Sequence, residues 1–204
     1  MSEPAPERLP ATPPIVVAWQ RIDEAAGHAV ARLERSGTGW LAHGQEVVVG
    51  GDGAYGCSFA VELADDWTTT HAIITTIDRE APRAVELRRD STNHWWRDGD
   101  RALELDGCRD VDVAAAPFTN TFPLNRLRDL PVGDRWTAPF AYVEVPSLRV
   151  TRVNQTYTRL PDPTGDEHAA AAWQYHDESY GPFLITSDAH GLVLDYEGLA
   201  RRIR

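Results

Sequence analysis

The sequence predicts a mainly β fold in a single domain, with one or two short helices, and two observations carry that expectation. The chain has 204 residues, 42% hydrophobic and 25% charged, a size and balance that fill one soluble core and seldom need two. Apolar and polar residues alternate with period two in short β-branched runs bounded by Gly, Pro, Asp and Asn. That is the pattern of antiparallel strands with one face buried. Neither an internal repeat nor a coiled-coil heptad competes with it.

The elements follow in order. Met1 to Pro14 carries five prolines and no periodicity, and reads as a disordered, Pro-rich N-terminus ahead of one β-rich ligand-binding domain over 15–204. Strands are expected at Ile15–Arg21, Gln45–Val49, Gly56–Leu63, His71–Ile77, Ala84–Arg89, His94–Arg97 and Arg101–Leu105. The second half adds Asp110–Ala114, Phe140–Val145, Leu148–Thr158, Ala171–His176, Phe183–Asp188 and Leu192–Tyr196. One stretch departs from period two: Ile22, Ala25, Ala26, Ala29, Val30 and Leu33 recur at helical spacing and, taken alone, predict an amphipathic helix that Gly27 weakens. A second helix of one or two turns is expected near Leu124–Leu130, where leucines recur every three residues between Pro123 and Pro131.

Charge and cysteine usage narrow the function classes. The net charge of −11 repels phosphate backbones, so nucleic acid is not an expected partner. All basic residues are Arg, which leaves local sites for carboxylates, aromatic faces and clustered hydroxyls. The apolar run Ile15–Trp19 is too short for a secretory core, and no stretch is long and apolar enough for a membrane helix. A cytoplasmic location is therefore expected, with Cys57 and Cys108 reduced and buried. The acceptor pattern Asn154-Gln155-Thr156 then has no role. The seven histidines are scattered, with His168 and His176 the nearest couple, so neither a zinc site nor a Ser-His-Asp arrangement is indicated, and no cofactor or metal is expected.

Three segments carry the candidate chemistry. In Trp95-Trp96-Arg97-Asp98-Gly99-Asp100-Arg101, Asp-Gly is a favoured two-residue hairpin turn. It sets Arg97 against Asp100 and Trp96 against Arg101, a charge pair and a cation–π pair. Trp95 then points to the opposite face from Trp96, and each indole is read either as the floor of a ligand groove or as a cap on the core. In Asp110-Val111-Asp112-Val113, alternation puts both carboxylates on one face about 6.8 Å apart. At an effective dielectric near 20 their repulsion is roughly 2.4 kcal/mol, so a cation, hydroxyl or amide must answer it. Arg88, Arg97 and Arg126 are the candidate counter-charges. Side-by-side carboxylates do not flank a bond as a glycosidase pair does, and the run lacks the Gly and Glu of a helical calcium loop. The third segment, Ala116 to Leu127, is a proline-bounded loop whose Thr119, Asn120 and Thr121 suit a sugar hydroxyl or a local cap.

Gly107-Cys108-Arg109-Asp110-Val111-Asp112-Val113, followed by Ala116-Pro117-Phe118-Thr119-Asn120-Thr121-Phe122-Pro123-Leu124-Asn125-Arg126-Leu127, resembles the bacterial putative glycolipid-binding family. The resemblance continues through Tyr142–Pro146, Gln155-Thr156-Tyr157 and the closing Asp188, Gly191-Leu192-Val193 and Asp195-Tyr196. It implies a curved antiparallel sheet, β-roll or half-barrel, and a strand instead of a helix near Ala29. Two places depart from the family pattern: Trp67-Thr68-Thr69-Thr70 has no Arg beside the Trp, and no proline follows Tyr196.

The expected function is non-catalytic binding of a glycolipid-like or other amphiphilic or glycosylated small molecule in the concave face. Aromatics would take the apolar part, and Arg, Asp, Asn and Thr the head. The ligand-binding candidates are Arg88, Trp95, Trp96, Arg97, Asp110, Asp112, Thr119, Asn120, Arg126, Tyr142, Gln155 and Tyr157; none is assigned a catalytic role. Two alternatives stand beside it: a hydrolase or isomerase using Asp110 or Asp112 as general base with Arg126, and a protein-interaction domain with no small ligand.

Overall fold

The structure, a computed structural model, describes residues 13–23, 25–51 and 53–203; the N-terminal segment read as disordered lies, up to residue 12, outside them. The first eight strands are β1 Ile15–Arg21, β2 Ala26–Ser36, β3 Gly39–Gly50, β4 Gly53–Leu63, β5 Thr69–Ile77, β6 Arg83–Arg89, β7 Trp95–Arg97 and β8 Asp100–Arg101. After β9 (Asp110–Val113) and a short helix, α1 (Thr121–Arg126), come β10 Arg135–Val143, β11 Val150–Leu160, β12 Ala171–Asp177, β13 Phe183–Ser187, β14 Val193–Tyr196 and β15 Ala200–Arg202. All fifteen join one sheet in the order β8-β7-β6-β5-β4-β3-β2-β1-β15-β14-β13-β12-β11-β10-β9. Every neighbouring pair is antiparallel except β9 with β10, which are parallel.

This order forces curvature. The two outermost strands, β8 and β9, are separated by only the residues between Arg101 and Asp110, so the opposite edges of the sheet must approach one another. Thr69 of β5 completes the approach: its N–H donates to the Arg109 carbonyl at 3.2 Å, and its hydroxyl accepts from the Val111 N–H at 3.1 Å. The result is one large, open, curved sheet.

The connection between the two meanders fills much of the concave side. Leu105, Cys108, Val111, Phe118 and Phe122 are buried there with Trp19, Phe59 and Trp95. Phe118 sits 6.0 Å from the Trp19 ring and 6.3 Å from Phe59. Leu124 and Leu127 pack into a second cluster with Phe140, Tyr157, Trp173 and Tyr196.

Several local expectations are corrected. The stretch with helical spacing is strand β2, as the family resemblance implied. Burial along it follows Ala29, Ala31 and Leu33 with period two, and the apparent helical stripe came from small alanines on both faces. A Cβ at Gly27 would fall 2.5 Å from the Val47 carbonyl, so this glycine marks a close strand approach. The expected strand Arg101–Leu105 stops at Arg101, and Leu103–Leu105 is a 3₁₀ turn. Helix α1 begins before Pro123, which lies in its first turn, where no N–H is required; a 3₁₀ turn, Pro117–Asn120, precedes it. The Asp98-Gly99 turn has φ of 52° and 89°, as a type I′ hairpin demands. Its register sets Trp96 against Arg101 and Arg97 against Asp100, and the Arg101 guanidinium stands 5.2 Å from the Trp96 ring. Arg97, however, pairs with Glu104 of the adjoining 3₁₀ turn at 3.6 Å instead of with Asp100. Cys57 and Cys108 are free and buried. Among the described residues no helix is long and apolar enough to cross a membrane.

Candidate functional site: a chamber at one rim of the sheet

Antiparallel alternation gathers one end of every strand at each rim. The C-terminal ends of β1, β3, β5, β9, β10, β12 and β14 lie at the same rim as the N-terminal ends of β2, β4, β6, β11, β13 and β15. At that rim the buried connection leaves space. A chamber of about 410 Å³ is walled by Asp112 and Asn120 from the connection, Tyr142 from β10, Tyr175 and Asp177 from β12, Tyr180, Phe183, Tyr196 and Arg21. A second hollow of about 640 Å³ adjoins it among the hairpin ends, with Tyr55, Arg79, Arg83 and Pro146 on its walls. Arg21 lines both and stands as the partition. A shallower hollow of about 360 Å³ lies beside Val30, His43 and Ile73.

The β9–β10 register pairs Asp110 with Phe140 and Asp112 with Tyr142. The two carboxylates share a face, as alternation requires, but serve opposite ends of the concave side. Asp110 is fully buried toward the closed rim. Arg126 reaches both its oxygens at 2.7 Å through Nη2, which also donates to the Trp67 carbonyl at 3.0 Å. Burial pushes the Asp110 carboxyl up from its ordinary range and the guanidinium pulls it back.

Asp112 faces the chamber and, among the described residues, has no cation paired with it. The Thr119 hydroxyl donates to Oδ1 at 2.6 Å, and the Gln155 amide donates to Oδ2 at 2.5 Å. Burial raises its pKa to about 6 in spite of those two hydrogen bonds. Behind it, the Tyr157 hydroxyl lies 2.9 Å from Asn120 Oδ1 and 3.1 Å from Gln155 Oε1, and its single proton serves one of them at a time. Thr119, Gln155 and Tyr157 thus form a buried polar chain that fixes Asp112 and Asn120.

Of the twelve sequence candidates, Asp112, Asn120 and Tyr142 line the chamber. Thr119, Gln155 and Tyr157 sit directly behind that wall. Asp110 and Arg126 form the ion pair at the opposite rim. Trp95 is fully buried in the core, its indole N–H donating to the Cys108 carbonyl at 3.0 Å. Trp96, Arg97 and Arg88 lie out near the β8 edge, with Arg88 paired to Glu86 at 2.5 Å; the structure does not bring these four to the chamber. Of the three arginines considered as counter-charges, Arg126 is the one that meets a carboxylate of the pair.

The sequence reading missed Arg21, Tyr175, Asp177, Phe183 and Tyr196, although the alternation Trp173-Gln174-Tyr175-His176-Asp177 signals a mixed inward face. It also missed Glu46, which occupies an inward position between Ala42 and Val48 and is only 4% exposed. Its Oε2 has no hydrogen-bond partner. Burial raises the Glu46 pKa to about 8, with nearby Arg21 opposing the shift. Among the described residues no group of three or more His, Cys, Asp or Glu side chains is placed to hold a metal ion.

Sheet and chamber together define a β-barrel-like protein, open along one side and hollow at one rim. It belongs to the family described as putative glycolipid-binding, which matches residues 16–202. The chain is similar to the crystal structure of a DUF1089 family protein from Pseudomonas aeruginosa, at 29% identity and a TM-score of 0.71, over 86% of this chain and 92% of that one. The β-barrel-like protein of the DUF1849 domain from Brucella abortus shares the fold at 9% identity and a TM-score of 0.58, over 94% and 95% of the two chains. Among curated proteins none matches.

Proposed function

We propose that this chain binds an amphiphilic, glycolipid-like molecule in the rim chamber, in the cytoplasm and without transforming it. The observation that carries this reading is the make-up of the wall: tyrosine rings and Phe183 beside Asp112, Asn120, Asp177 and Arg21, which is the mixture of apolar surface and few fixed polar groups that small-ligand sites use. Asp112, Asn120 and Tyr142 contact the guest, while Thr119, Gln155 and Tyr157 hold the first two in place. The family description points the same way, and two reduced, buried cysteines fit a reducing compartment.

The test is native mass spectrometry of gently purified protein, followed by calorimetric titration with dodecyl maltoside below its micelle concentration. A single saturable site is expected, weakened tenfold or more by Tyr142→Ala. Absence of saturable binding to any dodecyl amphiphile, with no copurifying adduct, overturns the proposal.

A further inference from the structure

The chamber carries a surplus of carboxylates and a free hydroxyl. Asp112, Asp177, Glu197 and Asp23 all line it, and Arg21, the one cation in its lining among the described residues, is already engaged by Asp23, with Nε 3.0 Å from Oδ1. Asp177 takes the Ser179 and Tyr180 backbone N–H groups at 2.7 and 2.6 Å and the Tyr175 hydroxyl at 3.1 Å. Those neutral donors leave its charge uncompensated. A separate observation points to a guest: Tyr196 lines the chamber at only 8% exposure, and its hydroxyl makes no hydrogen bond to any of the described residues. Its ring also stands 5.9 Å from Tyr175 and 5.8 Å from Phe183, so aromatic faces flank the same space.

Resting on the reading above, we propose that the head of the amphiphile carries a protonated primary amine, as in an amino sugar or an alkylammonium, held between the tyrosine rings and the carboxylates of Asp112 and Asp177. An ammonium group has three N–H donors and no acceptor. Two carboxylates and the Tyr196 hydroxyl supply acceptors, and the ring faces attract the charge. A neutral sugar leaves the carboxylates uncompensated, an anionic head meets the repulsion of the carboxylates that outnumber Arg21, and a quaternary head has no N–H for the Tyr196 oxygen.

Four amphiphiles with one tail and different heads separate these cases: dodecylammonium, dodecyltrimethylammonium, dodecyl maltoside and dodecyl sulfate. Each is titrated calorimetrically into the full chain below its micelle concentration, at roughly physiological salt, where long-range attraction to the net negative surface is screened. Dodecylammonium is expected to bind one site at least tenfold more tightly than the maltoside, followed by the trimethyl compound, with the sulfate last. Asp177→Asn reduces the ammonium preference several-fold, and Glu197→Gln serves instead if circular dichroism shows the first variant unfolded. Asp100→Asn, on the distant hairpin, leaves the preference unchanged. Maltoside binding as tight as dodecylammonium, or a preference that survives Asp177→Asn and Glu197→Gln alike, overturns the assignment of the head while leaving amphiphile binding intact. Failure of all four to saturate, with no copurifying adduct, overturns both.

Discussion

The side-chain amide of Gln155 donates to the carboxylate of Asp112 at 2.5 Å, joining a β11 residue to a β9 residue with β10 between them. Gln155 is fully buried and Asp112 nearly so, so this contact fixes the back wall of the chamber from a side where the amide has no water to replace its partner.

Gln155→Leu keeps the volume and removes the amide, leaving one oxygen of Asp112 without its donor and the Tyr157 hydroxyl with Asn120 as its one acceptor. A loss of about 2 kcal/mol in unfolding free energy is expected, measured as a lower urea midpoint with an unchanged slope. An unchanged midpoint would mean that the amide does not support Asp112.

At the opposite rim, Arg126→Met strips the counter-ion from Asp110. Breaking a pair whose carboxylate is fully buried, from the side of the cation, costs about 3–5 kcal/mol. Adding Asp110→Leu to that variant removes the stranded carboxylate and should recover most of the loss. Chemical denaturation of the two single variants and the double variant checks this, and an additive result would refute it.

Glu46 supplies a pH dependence. Its folded pKa of about 8 lies above the ordinary 4.5, so between those values the folded state binds a proton that the unfolded chain has released, and stability falls as pH rises through that window. Glu46→Gln removes the effect. The variant should match the parent near pH 4 and exceed it by a few kcal/mol at pH 9, on the order set by the shift. Urea midpoints across that range report the gap; a constant difference at all pH values contradicts it.

Gly44 in β3 faces Phe59 in β4, its register partner, so closely that a Cβ on Gly44 would fall 2.0 Å from the ring. Gly44→Ala is expected to destabilise by about 1–3 kcal/mol through overpacking. Phe59→Leu in the same chain should relieve much of that specific clash, readable as non-additivity in thermal melts.

Much of the sheet was legible because β-branched residues fill β5 and apolar and polar residues alternate along Val85-Glu86-Leu87-Arg88 of β6. The first half of β3, Gly-Trp-Leu-Ala-His-Gly, and all of β15, Ala-Arg-Arg, contain no β-branched residue. Their pairing is set by neighbouring strands, which a single-segment pattern does not register. One wall of the site was legible for a related reason: alternation forces Asp110 and Asp112 onto one face, and prolines announce the loop that follows. The other wall brings Arg21 of β1 together with Tyr175 and Tyr196 of strands far along the chain. Only the sheet order does that, and it has no local signature. Trp95 and Trp96 drew attention as large amphipathic rings, yet period two sent one into the core and the other to the outer face near an edge.

The seam between β1 and β15, where Trp19 lies opposite Arg202, inverts the usual relation between position in a chain and exposure to damage. In most sheets, fraying of a terminal strand trims a border. Here the outermost strands are encoded in the middle of the polypeptide, and detaching either terminal strand bisects the molecule. The tyrosine wall and Arg21 fall on different sides of that cut, so nicking by a protease within either segment would dismantle the chamber before it eroded any margin.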